Sequence, residues 1–176
     1  MKNKVTCIGW NIVRDITAHA ESRQEIPFGD CANIITTKGT VSEVGDYTTG
    51  GVTYKKANSG NGLYIDILSK VCASTNVGVT VKVTYLDKGT HPLNITYTSP
   101  VEAANDLAVR EDKTYSIAKS GSGSKKTVTV NLGNINANDA GKFMSDLCFT
   151  SDDGVYISDI KVTADVPGEE MYDTLS

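Results

Sequence analysis

The chain has 176 residues, 39% apolar and 22% charged, with a formal net charge of −4. That length suits one domain and buries about 70% of the unfolded surface, so a full core forms without metals or disulfides as staples. The acidic balance, without a basic stripe interleaved with aromatics, argues against nucleic acid, and no run approaches the ~18 apolar residues of a membrane helix.

In chain order, the positive start Met1-Lys2-Asn3-Lys4 is followed by Trp10, Asn11, Arg14 and Asp15 before any apolar h-region develops. It does not read as a signal peptide. Residues 15–24 read as a short helix with Asp15 as N-cap and Pro27 ending it. Residues 52–55 and 63–67 read as strands separated by Asn58-Ser59-Gly60-Asn61-Gly62. The clearest signal comes next, where Val79, Val81, Val83 and Tyr85 alternate with Thr80, Lys82, Thr84 and Leu86. Period two with β-branched residues predicts a half-buried strand. Leu93, Ile95 and Tyr97 repeat the pattern, as do Val128, Val130 and Leu132.

Asp87-Lys88-Gly89-Thr90 reads as a short hairpin connection, and Asp152-Asp153-Gly154 as a second hairpin turn between strands at 147–150 and 155–163. Ser120-Gly121-Ser122-Gly123-Ser124 reads as a loop inside the domain, and residues 135–142 as a turn of helix on a crossover. After Ala164 the alternation stops, and Val166-Pro167-Gly168-Glu169-Glu170 reads as an exit to a tail. Many short strands with Gly/Asn turns predict an all-β fold, an antiparallel β-sandwich of jelly-roll type spanning residues 1–164, with 165–176 as tail or linker.

Cys7, Cys31, Cys72 and Cys148 are scattered, and neither His19 nor His91 has a Cys or His neighbour at ligand spacing. Zinc is not indicated. Two disulfides in any of three connectivities, or four separate thiols, remain open. No nucleophile elbow, phosphate loop or cue to paired carboxylates is present, so catalysis is not expected.

The stretch 77–164 resembles galactose-binding-like jelly rolls of the carbohydrate-binding-module type. The residues that carry the resemblance are Val81-Lys82-Val83-Thr84-Tyr85-Leu86-Asp87-Lys88-Gly89 followed by Leu93-Asn94-Ile95-Thr96-Tyr97-Thr98-Ser99. Lys126-Thr127-Val128-Thr129-Val130-Asn131-Leu132, Ser145-Asp146-Leu147-Cys148-Phe149 and Gly154-Val155-Tyr156-Ile157-Ser158-Asp159-Ile160-Lys161-Val162 resemble the strands that complete the family's sheet. The resemblance implies a non-catalytic module that binds a polysaccharide or glycan, appended to a larger secreted or bacterial surface protein. The alternative is a structural or adhesive module that binds protein or acts as a spacer. The resemblance also implies a structural calcium held between the first and last strands. Asp159 matches the position that contributes there, with Glu21, Glu25 or Asp30 as acidic partners.

A sugar site pairs an aromatic plate with a few polar side chains. The candidates are Trp10, Tyr47 and Tyr54, the turn residues Asp87, Lys88 and His91, and Asp106 and Arg110 in the polar connection after Ser99. Trp10 reads more readily as a core or lid residue covering one end of the sandwich. Tyr85 and Tyr97 share strand faces with Val83 and Ile95 and are expected in the core.

Overall fold

A computed structural model describes residues 23–37, 44–100 and 110–165. The strands are β1 (Arg23–Phe28), β2 (Ala32–Thr37), β3 (Gly45–Thr49), β4 (Val52–Ala57), β5 (Gly62–Ile67) and β6 (Val77–Leu86). β7 (Leu93–Pro100), β8 (Arg110–Ile117), β9 (Lys125–Ile135), β10 (Leu147–Thr150) and β11 (Val155–Asp165) complete the set. They form a six-stranded sheet in the order β1-β2-β5-β10-β7-β8 and a five-stranded sheet in the order β3-β4-β11-β6-β9. Neighbouring strands pair antiparallel throughout.

The alternation read from the sequence sets which faces meet. Val79, Val81 and Val83 of β6 with Ile157 and Ile160 of β11 project from one sheet, and Ile34, Leu63, Ile65, Ile95 and Phe149 from the other. All ten are at most 1% exposed and belong to one cluster. Burying each such side chain is worth about 1.5–3 kcal/mol, so this shared layer is what holds the two sheets face to face. Cys31, in the β1–β2 turn, ties the layers at one point: its thiol donates to the Ile160 carbonyl at 3.5 Å and accepts the Val162 amide at 3.2 Å. Among the described residues the cysteines, Cys31, Cys72 and Cys148, are free thiols; Cys7 lies outside them.

Three expectations change. The two predicted hairpins are crossovers between sheets: β6 and β7 lie in different sheets, as do β10 and β11. The turn chemistry itself is present, with Gly89 at φ +79° and Gly154 at φ +84°. A turn signal reverses the chain but does not choose the partner; here the core faces of both flanking strands are satisfied only if the second crosses to the opposite layer. The predicted helix at 15–24 ends in strand, since Arg23 and Gln24 open β1, and its remainder lies outside the described residues. Pro27 sits inside β1, an edge strand, where its missing N–H removes no ladder bond. The helical turn expected at 135–142 is a single 3-10 turn at Lys142–Met144, and Asn136 and Ala137 instead donate to Thr98 and Ser74 carbonyls.

The loop at 118–124 lies within the domain, as expected, and is bound to the end of β6. The opposite edge of the six-stranded sheet, β8, carries exposed Glu111, Asp112 and Lys113. Gly89 tests how tightly the crossovers pack, because a Cβ there would run into the Asp153 carboxylate and would also meet the left-handed backbone. Gly89→Ala is expected to cost at least about 2 kcal/mol in urea unfolding; a change within experimental error would show that the crossover yields freely.

Candidate functional site

At the crossover end, Asp87 is fully buried rather than on a solvated tip. Its oxygens accept from the Ser120, Gly121 and Ser122 amides, from the Ser120 and Ser122 hydroxyls, and from the Lys126 ammonium at 2.7 Å. Burial alone would raise this carboxyl. The hydrogen bonds from Lys126, Ser120 and Ser122 outweigh it and hold the group well below the usual carboxylate range. Beside it Lys119 donates to the Lys88 carbonyl at 2.7 Å, with burial pushing its amine down. Asp153 accepts the His91 amide and pairs with its Nδ1 at 3.0 Å. Asp87 and His91 are therefore held in a loop clamp, Asp87 wholly buried within it and His91 exposed on it.

The other expected residues divide. Tyr54 is 1% exposed and packs with Leu86 and Tyr156, so its ring is not a stacking plate. Tyr47 is half-buried on the same cluster, with the Lys88 ammonium 4.7 Å above its ring. Tyr85 is in the core and Tyr97 is half-buried against it. Trp10, Glu21 and Asp106 lie outside the described residues, as does the side chain of Arg110, which opens β8. Glu25 is exposed and accepts from Asn33 at 2.9 Å, while Asp159 is exposed on β11 beside the Gly29 turn.

A cleft of about 190 Å³ lies over the outer face of the six-stranded sheet. Tyr64 of β5, Cys148 of β10 and Thr96 and Thr98 of β7 line its floor, because each alternates with an inward-facing residue on its strand, and Asp112 of β8 joins them opposite Thr98. Its rim is the β9–β10 connection, which contributes Lys142, Ser145 and Asp146. Phe143 stands edge-on to Tyr64, with ring centroids 4.9 Å apart. Three non-glycine residues of this connection, Asp139, Phe143 and Met144, hold φ between 57° and 59°. Such strain persists only where packing over-determines it, and it concentrates at functional sites.

The polar groups of the cleft are arranged as follows. The Thr98 hydroxyl donates to Asp112 at 3.3 Å, and Thr96 and Thr114 hydroxyls meet at 3.3 Å. Asp146 is 3% exposed; its oxygens accept the Ile67 amide at 2.8 Å and the Asp139 amide at 3.0 Å. Burial pushes its carboxyl up to about 6, aided by the neighbouring charge of Asp139 and opposed by those amides and by Asp66. Burial likewise pushes the Cys148 thiol up to about 11, so it stays protonated and unreactive near neutrality.

Asp66, Asp139 and Asp146 bring one carboxylate oxygen each within 4.8 Å of one another. Among the described residues this is the acidic group able to hold a hard cation, and it includes neither Glu25 nor Asp159, where calcium was expected. Both Asp146 oxygens already accept backbone amides, so a cation would compete with the hydrogen bonds that fix the strained connection.

Among the described residues, none of the expected sugar-contacting side chains, Tyr47, Tyr54, Asp87, Lys88 and His91, lines this cleft. Tyr64 was legible as a tyrosine alternating with Leu63 and Ile65, but nothing local said that a distant connection would fold over it. No protein-family model, curated protein or solved structure matches the chain.

The raised Asp146 carboxyl has a sign that can be checked. The folded state holds its proton more tightly than the unfolded chain, whose ordinary value is 3.8, so its stabilisation is complete below about pH 4 and is lost as pH rises through 6. Between pH 5 and pH 7 the melting temperature is expected to fall, and to fall less in Asp139→Asn, which removes a like charge yet suits the left-handed backbone. An identical fall in the variant would remove Asp139 as a contributor.

Proposed function

We propose that this domain is a non-catalytic carbohydrate-binding module, a jelly roll of the galactose-binding type within a larger secreted or surface protein. The observation that carries the reading is the cleft on the six-stranded sheet. Its lining combines the Tyr64 ring, backed edge-on by Phe143, with hydroxyl, carboxylate and ammonium groups from Thr96, Thr98, Asp112 and Lys142. That mixture suits a hydroxylated ring, with apolar contact for its C–H face and a few placed polar groups for its hydroxyls. The resemblance of residues 77–164 to such modules points the same way. The buried Asp146 has both oxygens bound to backbone amides, an arrangement that fixes the connection over the cleft. Weak binding of this kind becomes useful through tethering, which raises the local concentration of an attached partner.

The test is a retention screen of the folded domain against plant, algal and host polysaccharides. Retention by one polymer class is expected, weakened about tenfold in Asp112→Ala/Lys142→Ala, as loss of charge-assisted contacts to hydroxyls implies. Silence across the panel from folded protein would overturn the reading in favour of a spacer or protein-binding module.

A further inference from the structure

The outer face of the five-stranded sheet holds a second cluster, separate from the core, in which Tyr54, Leu86 and Tyr156 are buried and Tyr47 and Val52 pack against them. Tyr47 and Tyr156 meet edge to face with centroids 5.1 Å apart. The Lys88 ammonium lies 4.7 Å from the Tyr47 centroid and 5.1 Å from that of Tyr156, and Lys56 lies 5.9 Å from Tyr156. We infer that Tyr47, Tyr156, Lys56 and Lys88 form a second binding site, for the carboxylate-bearing rings of an acidic polysaccharide.

The charge pattern around the cluster selects this ligand. Lysines nearby are neutralised: Lys55 by Asp46 at 2.8 Å, Lys126 by Asp87 at 2.7 Å, and Lys119 facing Asp153 at 3.9 Å. Among the described residues, no carboxylate pairs with Lys56 or Lys88, although the chain has 21 acidic residues against 17 basic ones. Two ammoniums held over tyrosine rings offer a sugar acid both of its needs. The sugar's C–H face packs on the tyrosine ring face that the lysine vacates, and its carboxylate receives charge-assisted hydrogen bonds from the lysines that swing off the rings. A neutral sugar would use the rings and leave both charges unanswered.

Lys88 is presented by a rigid support. The residue before it is the clamped Asp87, its own carbonyl accepts from Lys119, and its amide donates to Leu86. Little ordering remains to be done when a ligand arrives. The site is on the opposite sheet from the cleft and does not depend on it. Since the chain as a whole is negative, a polyanion gains nothing from the overall field, and binding reports the local cluster.

Affinity electrophoresis in gels containing polygalacturonate or alginate, with fully methyl-esterified polygalacturonate as the uncharged counterpart, tests this directly. Retardation is expected in at least one acidic polymer and not in the ester. Lys56→Gln/Lys88→Gln should weaken it about tenfold, the loss expected for charge-assisted contacts. The charge-matched Lys70→Gln/Lys113→Gln, at exposed positions elsewhere, and the cleft variant Asp112→Ala/Lys142→Ala should leave it intact. No retardation of the folded wild type, or equal weakening by Lys70→Gln/Lys113→Gln, would overturn the inference. Loss confined to the cleft variant would also overturn it, while leaving the cleft as a sugar site.

Discussion

The buried Asp87 carboxylate is the interaction on which one whole end of the molecule depends. It closes the last turn of β6, and its two oxygens gather three backbone amides and two hydroxyls of the 118–124 loop together with the Lys126 ammonium. An isolated charge in that position would be prohibitive, and each of those donors offsets part of the cost. A serine-glycine loop has no packing of its own to hold it. Here its order is borrowed from a single acid, and the adjoining crossover inherits the same rigidity through Lys119 and Asp153. The placement of Lys88 over the tyrosines follows from that chain of contacts.

Much of the architecture was legible because alternation is a local property that records a global fact. Val79, Val81 and Val83 face one way whatever sheet they join, and they lie in the core as read. Pairing is different. Asp152-Asp153-Gly154 specifies a reversal, and the same chemistry serves a hairpin or a step from one layer to the other. The choice is made by strands remote in sequence, such as β4 and β6, which flank β11 and take up its hydrogen bonds. The end of the helix expected through Gln24 is strand for a similar reason: Arg23 and Gln24 are recruited by Thr37 and Thr36 across a ladder.

The two surfaces proposed to bind sugar were less legible than the fold. Tyr47 and Lys88 stood out in the sequence and come together in the fold, but their common neighbour Tyr156 looked like an ordinary strand residue. Tyr54, in the same strand pair, is beneath the surface because Leu86 and Tyr156 close over it. The cleft was hidden entirely. Its floor comes from four strands and its wall from a connection whose left-handed residues, Asp139, Phe143 and Met144, carry none of the glycine that usually announces such geometry.

The charged edge at β8 bears on how copies of the domain behave when crowded. Its residues run Arg110-Glu111-Asp112-Lys113 and then Thr114-Tyr115-Ser116-Ile117, so all charge sits in one half of the strand. A second copy docking antiparallel about the strand's centre would lay each charged residue against an uncharged one, stripping water with no counter-ion in return. A parallel, in-register copy would place like charge on like. Either way this edge disfavours its own image, the way native sheets blunt an edge against pairing with another copy.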